Sequence, residues 1–156
     1  MDEKKLLKYS IDYLSKYDSS KQNLSNVLKR KIFRLQLTNI EKAKIINNIK
    51  NIILKLEENN LIDDKKYSIS KILSFSQAGK SKKFIYYYLL KKGVSKLQIQ
   101  NSLVSFEQDN NSWELNSAKS FAKKKRLLKS NIDYNKKLAK MARAGFSYEI
   151  CKKVLG

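Results

Sequence analysis

Ser74-x-x-x-x-Gly79-Lys80-Ser81 stands one residue away from a phosphate-binding loop, with Ser74 where the first glycine should be. Such a loop has to follow a strand, so that its backbone amides converge on a phosphate. The preceding segment, Lys66 to Phe75, has helical periodicity instead, so Gly79 reads as the end of one helix and Ser81 as the start of another. The acidic pairs Glu57-Glu58 and Asp63-Asp64 are the residues that could hold a divalent metal. Two-metal phosphoryl chemistry needs several carboxylates converging on one point, which two separate pairs do not supply. Asp63 or Asp64 reads better as a helix N-cap, and Glu57 and Glu58 as solvated. Cys151, beside Ile150 and Val154, reads as a packing residue. With no His and one Cys, a zinc finger, a Ser–His or Cys–His catalytic site and a disulfide framework are all excluded. A lone free thiol suits a reducing compartment. No catalytic activity, cofactor or metal is expected.

The basic residues are more informative, because they recur in stripes. Lys83, Tyr87 and Lys91 lie four apart, with Lys80 close to the same face and Ile85 and Leu89 pointing the other way. Lys119, Lys123 and Arg126 make a second stripe, opposite Ala118, Phe121 and Ala122. Lys136, Lys140 and Arg143 make a third, opposite Leu138, Met141 and Ala142. Any one charge run is ordinarily a solvated face. Three runs with no acid interleaved differ from a merely soluble surface, which mixes both signs. Of Tyr86, Tyr87 and Tyr88, Tyr87 is the one placed to face outward and stack on a base, the other two to pack inward.

The elements that carry these stripes are helical throughout. The chain has 156 residues, 42% of them hydrophobic, no Pro and four Gly. That composition builds a core and argues against a turn-rich β protein. The net charge of +20 is unevenly spread, with +5 in residues 1–63, +6 in 64–109 and +9 in 110–156. Such a field favours phosphate polymers, anionic membranes or acidic protein surfaces. The N-terminus carries no signal-peptide pattern, and the apolar stretch Phe84 to Leu90 is too short to span a bilayer, so a soluble, cytoplasmic protein is expected.

About nine helices are predicted, near 4–17, 20–33, 39–59, 64–78, 81–92, 96–106, 112–128, 132–144 and 148–155. Ile45, Ile46, Ile49, Ile52, Ile53 and Leu56 form one apolar stripe in the third. Thr38 with Glu41 spells a capping box at its start; Ser95 with Gln98 and Asn111 with Glu114 spell two more. Gly79, Gly93 and Gly145 fall where helices should end. The helices group into three sets of three, 1–63, 64–109 and 110–156. Tyr9-Ser10-Ile11-x-x-Leu14 recurs as Tyr67-Ser68-Ile69-x-x-Ile72, and Gly93-Val94-Ser95 recurs as Gly145-Phe146-Ser147. Units this small cannot close their own cores, so they are expected to stack.

At this point the residues match a family. Leu61-Ile62-Asp63-Asp64-x-x-Tyr67, Gly79-Lys80-Ser81-x-x-x-Ile85 and Leu89-Leu90-Lys91-Lys92-Gly93-Val94 resemble the middle of the RecX regulatory proteins. Ala144-Gly145-Phe146-Ser147-x-x-Ile150 and Val154-Leu155 resemble that family's ending. The first unit departs from the pattern in having no glycine turn, Lys82 replaces a frequent proline, and of the arginines only Arg30, Arg34, Arg126 and Arg143 remain. The resemblance implies an all-α fold of three tandem three-helix repeats stacked into an elongated, curved array. It also implies a non-enzymatic regulator, and a monomer is expected. Such a protein would bind the RecA recombinase filament on single-stranded DNA and damp its ATP turnover, strand exchange and stimulated self-cleavage of the damage-response repressor. Lysines in place of arginines make the expected contacts point charges rather than bidentate forks.

Two other classes fit the residues. A free-standing DNA-binding protein would use the stripes on phosphates rather than on base edges, which call for Arg, Asn or Gln. A membrane-surface protein would expose large apolar residues opposite the lysines, residues that the repeats already use for stacking; no membrane partner is expected.

Overall fold

The computed structural model describes residues 1–129 and 131–156, and every regular element among them is a helix. In chain order these are α1 (Glu3–Lys16), α2 (Lys21–Phe33), α3 (Asn39–Asn47), α4 (Ile49–Glu58), α5 (Asp64–Gln77), α6 (Lys82–Lys91), α7 (Lys96–Asp109), α8 (Trp113–Lys124), α9 (Tyr134–Arg143) and α10 (Tyr148–Leu155). The chain forms two compact units. One comprises Met1–Tyr67 with Lys92–Val94, the other Ser68–Lys91 with Ser95–Gly156.

In the first unit α1 to α4 close on a core that includes Leu6, Leu24, Leu28, Ile32, Ile52 and Leu56. The helix expected over 39–59 is two, joined at Asn48, whose amide donates back three residues to the Ile45 carbonyl at 3.0 Å and tightens the turn. The apolar stripe survives the joint: Ile49, Ile52 and Leu56 are buried, and Ile45, Ile46 and Ile53 pack against them. The Thr38–Glu41 capping box forms with both of its hydrogen bonds.

In the second unit α8, α9 and α10 pack around Ala118, Ala122, Leu127, Met141, Phe146 and Cys151, while α6 and α7 pair and bury Ile85, Leu89, Ile99 and Leu103. Each large aliphatic side chain fully buried contributes about 1.5–3 kcal/mol. An exposed ion pair contributes about 1 kcal/mol at most. The apolar faces therefore hold these helices, and the cationic faces are free for other work.

Helix ends repeat one device. Gly79 and Gly145 have positive φ, +81° and +100°. The amide after each donates back across the turn, Lys80 N to Phe75 O at 3.0 Å and Phe146 N to Met141 O at 3.2 Å. This is a Schellman cap, which favours glycine because a side chain is strained at positive φ. Two helices end the same way without glycine. Asn60 (φ 58°) closes α4 through Leu61 N to Leu56 O at 2.8 Å, and Arg126 (φ 58°) closes α8 through Leu127 N to Ala122 O at 2.8 Å. The helix expected over 112–128 thus stops at Lys124, because burying Leu127 and satisfying the Ala122 carbonyl turns the chain sharply at Arg126.

Two long-range clasps hold the middle helices, one in each unit. In the first, the N-cap hydroxyl of Ser20 accepts from Asn23 N at 3.1 Å and donates to the Lys92 carbonyl, and the Asp64 carboxylate accepts Lys21 N at 2.9 Å. In the second, the N-cap hydroxyl of Ser81 accepts from Phe84 N at 3.0 Å and donates to the Ala144 carbonyl, and the Glu114 carboxylate accepts Lys82 N at 2.7 Å. Each gripped carbonyl precedes a turn glycine. A Cβ on Gly93 would run into Gln22, and one on Gly145 into the Ser81 hydroxyl. Glu114 is therefore not the local cap expected with Asn111: α8 begins from Ser112 with no side-chain cap, because the carboxylate serves a helix start elsewhere. The box expected at Ser95 is half formed, since Ser95 accepts Gln98 N while the Gln98 side chain donates to Ser102.

Candidate functional site

Leu89 and Ile85 are fully buried on α6 and fix its inward face, which leaves Lys83, Tyr87 and Lys91 exposed on the other. Tyr86 and Tyr88 are half-buried rather than core; Tyr88 packs against Phe75 at 4.7 Å between ring centroids. Lys80 lies before α6 and is half-buried, its Nζ 4.8 Å above the Phe84 ring centroid, which makes it the least available cation of its group.

On α8, Ala118 and Ala122 are buried, Phe121 is half-buried, and Lys119 and Lys123 are exposed. Arg126 is exposed too, but from the turn beyond the helix, so it continues that stripe only in sequence. On α9, Met141 is buried, Leu138 is half-buried, and Lys136, Lys140 and Arg143 are exposed. Ala142, expected opposite the cations, is exposed as well, since it lies next to Arg143 on a helix that sinks a single residue completely.

Stripes one and three meet. Lys83, Tyr87 and Lys91 from α6 and Arg143 from α9 line one hollow of about 450 Å³. Lys136, Lys140 and Arg143 line another of about 520 Å³ with Lys125, a cation the periodicity did not single out. Lys119, Lys123 and Arg126 line neither. Among the described residues the ion pairs are Lys21–Glu57 (2.8 Å), Lys55–Glu3 (3.0 Å) and Lys153–Glu149 (3.5 Å). Glu57, expected to be solvated, is thus a partner of Lys21, whose ammonium it holds above the usual lysine range by hydrogen bonding. None of those pairs involves a stripe cation, so the positive field of the stripes is directed outward.

The acidic residues serve the fold. Asp63 is the N-cap of α5, accepting Lys65 N at 2.9 Å and Lys66 N at 3.2 Å. Burial pushes the Asp64 and Glu114 carboxyls above their usual range, against the opposing pull of the amide each accepts. No group of three or more His, Cys, Asp or Glu among the described residues is placed to hold a metal. Cys151 is buried with its Sγ 3.7 Å from the Phe146 carbonyl, and desolvation pushes its thiol up, away from a nucleophilic role. No helix among the described residues is long and apolar enough to cross a membrane.

What periodicity missed is the clasp: Ser20, Ser81, Asp64 and Glu114 act through partners 32 to 72 residues away. The sequence signal for it was the pair of turn glycines, since each is needed where a helix start packs against it.

No family model matches the chain. The chain is 30% identical, over an alignment of 154 positions that covers 94% of this chain and 81% of the relative, to "Regulatory protein RecX" of Myxococcus xanthus (strain DK1622). The crystal structure of RecX from Lactobacillus salivarius shares the fold with a TM-score of 0.73 at 23% identity, over 98% of this chain and 94% of that one. A second crystal structure, of regulatory protein RecX, gives a TM-score of 0.74 at 22% identity, over 97% of this chain and 70% of that one. The structural likeness establishes the all-helical fold and the sequence match the lineage: the chain belongs to the RecX family of regulatory proteins, a family of regulators rather than enzymes.

Proposed function

We propose that this protein binds the RecA recombinase filament on single-stranded DNA and damps its ATP turnover, strand exchange and stimulated self-cleavage of the damage-response repressor. RecX proteins modulate RecA activity, and this protein would do so as a monomeric, cytoplasmic regulator bound to the filament. The observation that carries it is the outward-facing set Lys83, Tyr87, Lys91, Lys136, Lys140 and Arg143, which no acid in the ion pairs of the described residues neutralises. A filament presents phosphates and acidic protein surface, and a dense cationic face is attracted to both. Lys119, Lys123 and Arg126 are assigned to the same footprint, as is Lys80 in a lesser role.

The division into three tandem three-helix units, 1–63, 64–109 and 110–156, belongs to this reading. It is supported by the recurrence of the serine–acid clasp, in which a middle helix of one set is gripped by the turn and first helix of the next. A second reading, direct contact with single-stranded DNA by a free-standing protein, is favoured by the cation-lined hollow at Lys125, Lys136, Lys140 and Arg143. The deciding experiment adds the purified protein to RecA turning over ATP on single-stranded DNA. Substoichiometric protein is expected to slow hydrolysis; unchanged hydrolysis at equimolar protein and low salt overturns the function.

A further inference from the structure

A larger hollow, about 680 Å³, opens on the side of Tyr87 away from Lys91, and its character differs from that of the cationic stripes. Its floor is apolar, and Gln100 and Ser147 are polar side chains on its walls. Leu103 and Phe146 are buried beneath it, Val104 is 58% exposed, and Tyr86 and Tyr87 stand as a wall with their rings edge to face at 5.4 Å. This hollow and the 450 Å³ one share Lys83, Tyr87, Ala142 and Gly145, so the two form a continuous trough. Ala142 lines both hollows with a side chain too short to fill them. Cations line both parts of the trough: Lys82 the larger hollow, Lys91 and Arg143 the smaller, and Lys83 the stretch that the two share. Glu114 is the carboxylate in its lining among the described residues, and it is already committed to the Lys82 amide at 2.7 Å.

We infer that this trough is a docking site for an extended acidic peptide of a partner protein, with a bulky apolar side chain seated over Val104 and Leu103 and carboxylates at either end. The charge pattern argues for the flanking acids. Lys82, which lines the larger hollow alone, and Lys91, which lines the smaller alone, lie nine residues apart on α6, about 14 Å at 1.5 Å per residue. An extended chain covers that distance in about four residues, so two acids bracketing a short apolar segment match the rim. The floor argues for a side chain rather than a nucleobase. A base seated on Leu103, Val104 and Phe146 would press part of its polar edge against apolar surface, a cost that an aliphatic or phenyl group does not incur, with Gln100 and Ser147 among the uncharged polar side chains to meet the rest. The inference goes beyond the proposed function, which leaves the contacted protein surface unassigned.

The test uses the full chain labelled with nitrogen-15 and three probes: the peptide Asp-Glu-Ser-Leu-Phe-Ser-Glu-Asp, its analogue with Leu-Phe replaced by Ala-Ala, and a short oligo(dT). The first peptide is expected to give saturable amide shifts at Lys83, Tyr87, Val104 and Ala142, and the Ala-Ala analogue about tenfold weaker binding or none. Ala142→Trp fills the trough from an exposed helical position without altering charge, and should weaken the first peptide about tenfold or more while leaving oligo(dT) binding unchanged. Lys83→Glu with Lys91→Glu should weaken it as well. Absence of saturable shifts with the first peptide overturns the inference, as does equal binding of both peptides or an Ala142→Trp loss confined to oligo(dT), which would make the trough a nucleic-acid site. The RecA ATPase assay on the same variants separates the two readings. Peptide binding without inhibition sinks the proposed function alone, and inhibition by wild type without peptide binding sinks the trough alone.

Discussion

The Ser81 hydroxyl donates to the Ala144 carbonyl oxygen at 2.8 Å, joining residues 63 apart in the chain. The same hydroxyl accepts the Phe84 amide, so one oxygen caps a helix start and grips a distant turn. Ser20 does the same with Asn23 N and the Lys92 carbonyl. The fold thus uses its long-range polar clasps to position α2 and α6, and α6 is the helix that presents Lys83, Tyr87 and Lys91.

Ser81→Ala removes both bonds and leaves a part-buried amide and carbonyl without a side-chain partner. It should lower stability by about 1–2 kcal/mol, as should Ser20→Ala. Ser15→Ala, which removes an exposed local bond to the Asp12 carbonyl, should stay within about 0.5 kcal/mol. Urea unfolding of the three variants checks this; equal losses in all three would show that the clasps contribute nothing special.

The left-handed turns should respond in opposite directions. Arg126→Gly relieves a side chain held at φ 58° and should raise stability by about 0.5–1 kcal/mol, after the unfolded-state entropy of glycine is deducted. Gly145→Ala strains φ +100° and drives a methyl into the Ser81 hydroxyl, so it should cost more than about 1 kcal/mol. Thermal unfolding of both at one salt concentration is the measurement, and a shift of the same sign in both refutes the assignment.

Glu114 supplies a pH signature. Its folded-state pKa is raised by burial above the ordinary 4.5, so the folded protein holds that proton more tightly than the unfolded chain does. Stability from this group is therefore present at low pH and lost as pH rises from the ordinary value through the raised one. Glu114→Gln keeps an acceptor for the Lys82 amide and removes the titration. The variant should gain on wild type as pH rises through that window and be no less stable at pH 7, whereas Glu114→Ala should lose about 1 kcal/mol. Denaturant midpoints across the acid range decide it; a variant that loses ground to wild type with rising pH contradicts the burial argument.

The cationic face is tested by charge reversal. Lys83→Glu, Lys91→Glu and Arg143→Glu together alter exposed positions that line one hollow, so helicity should survive. Filament binding should weaken, and every phosphate no longer neutralised should flatten the log-affinity against log-salt slope by about 0.7 for single strands. A matched triple at the exposed Lys4, Lys5 and Lys8 carries the same charge change in the least basic third of the chain. Equal weakening by both triples would reduce the effect to net charge.

Helix positions, their buried faces and the cationic stripes were legible in the residues alone, because spacing of three and four, N-cap serines and turn glycines act within a single helix. Leu89 and Ile85 had to sink, and Lys83 and Lys91 had to stay in water, whatever the helix packed against. The third dimension decided the rest. Glu114 looked like a local cap for α8, yet the carboxylate reaches across 32 residues of sequence to accept the Lys82 amide at the start of α6. Arg126 looked like the next member of a helical stripe, but burial of Leu127 outweighed the strain of a left-handed turn. Ala142 looked like core and instead floors a trough, because what covers a small side chain depends on which helix lies opposite, and no local period records that.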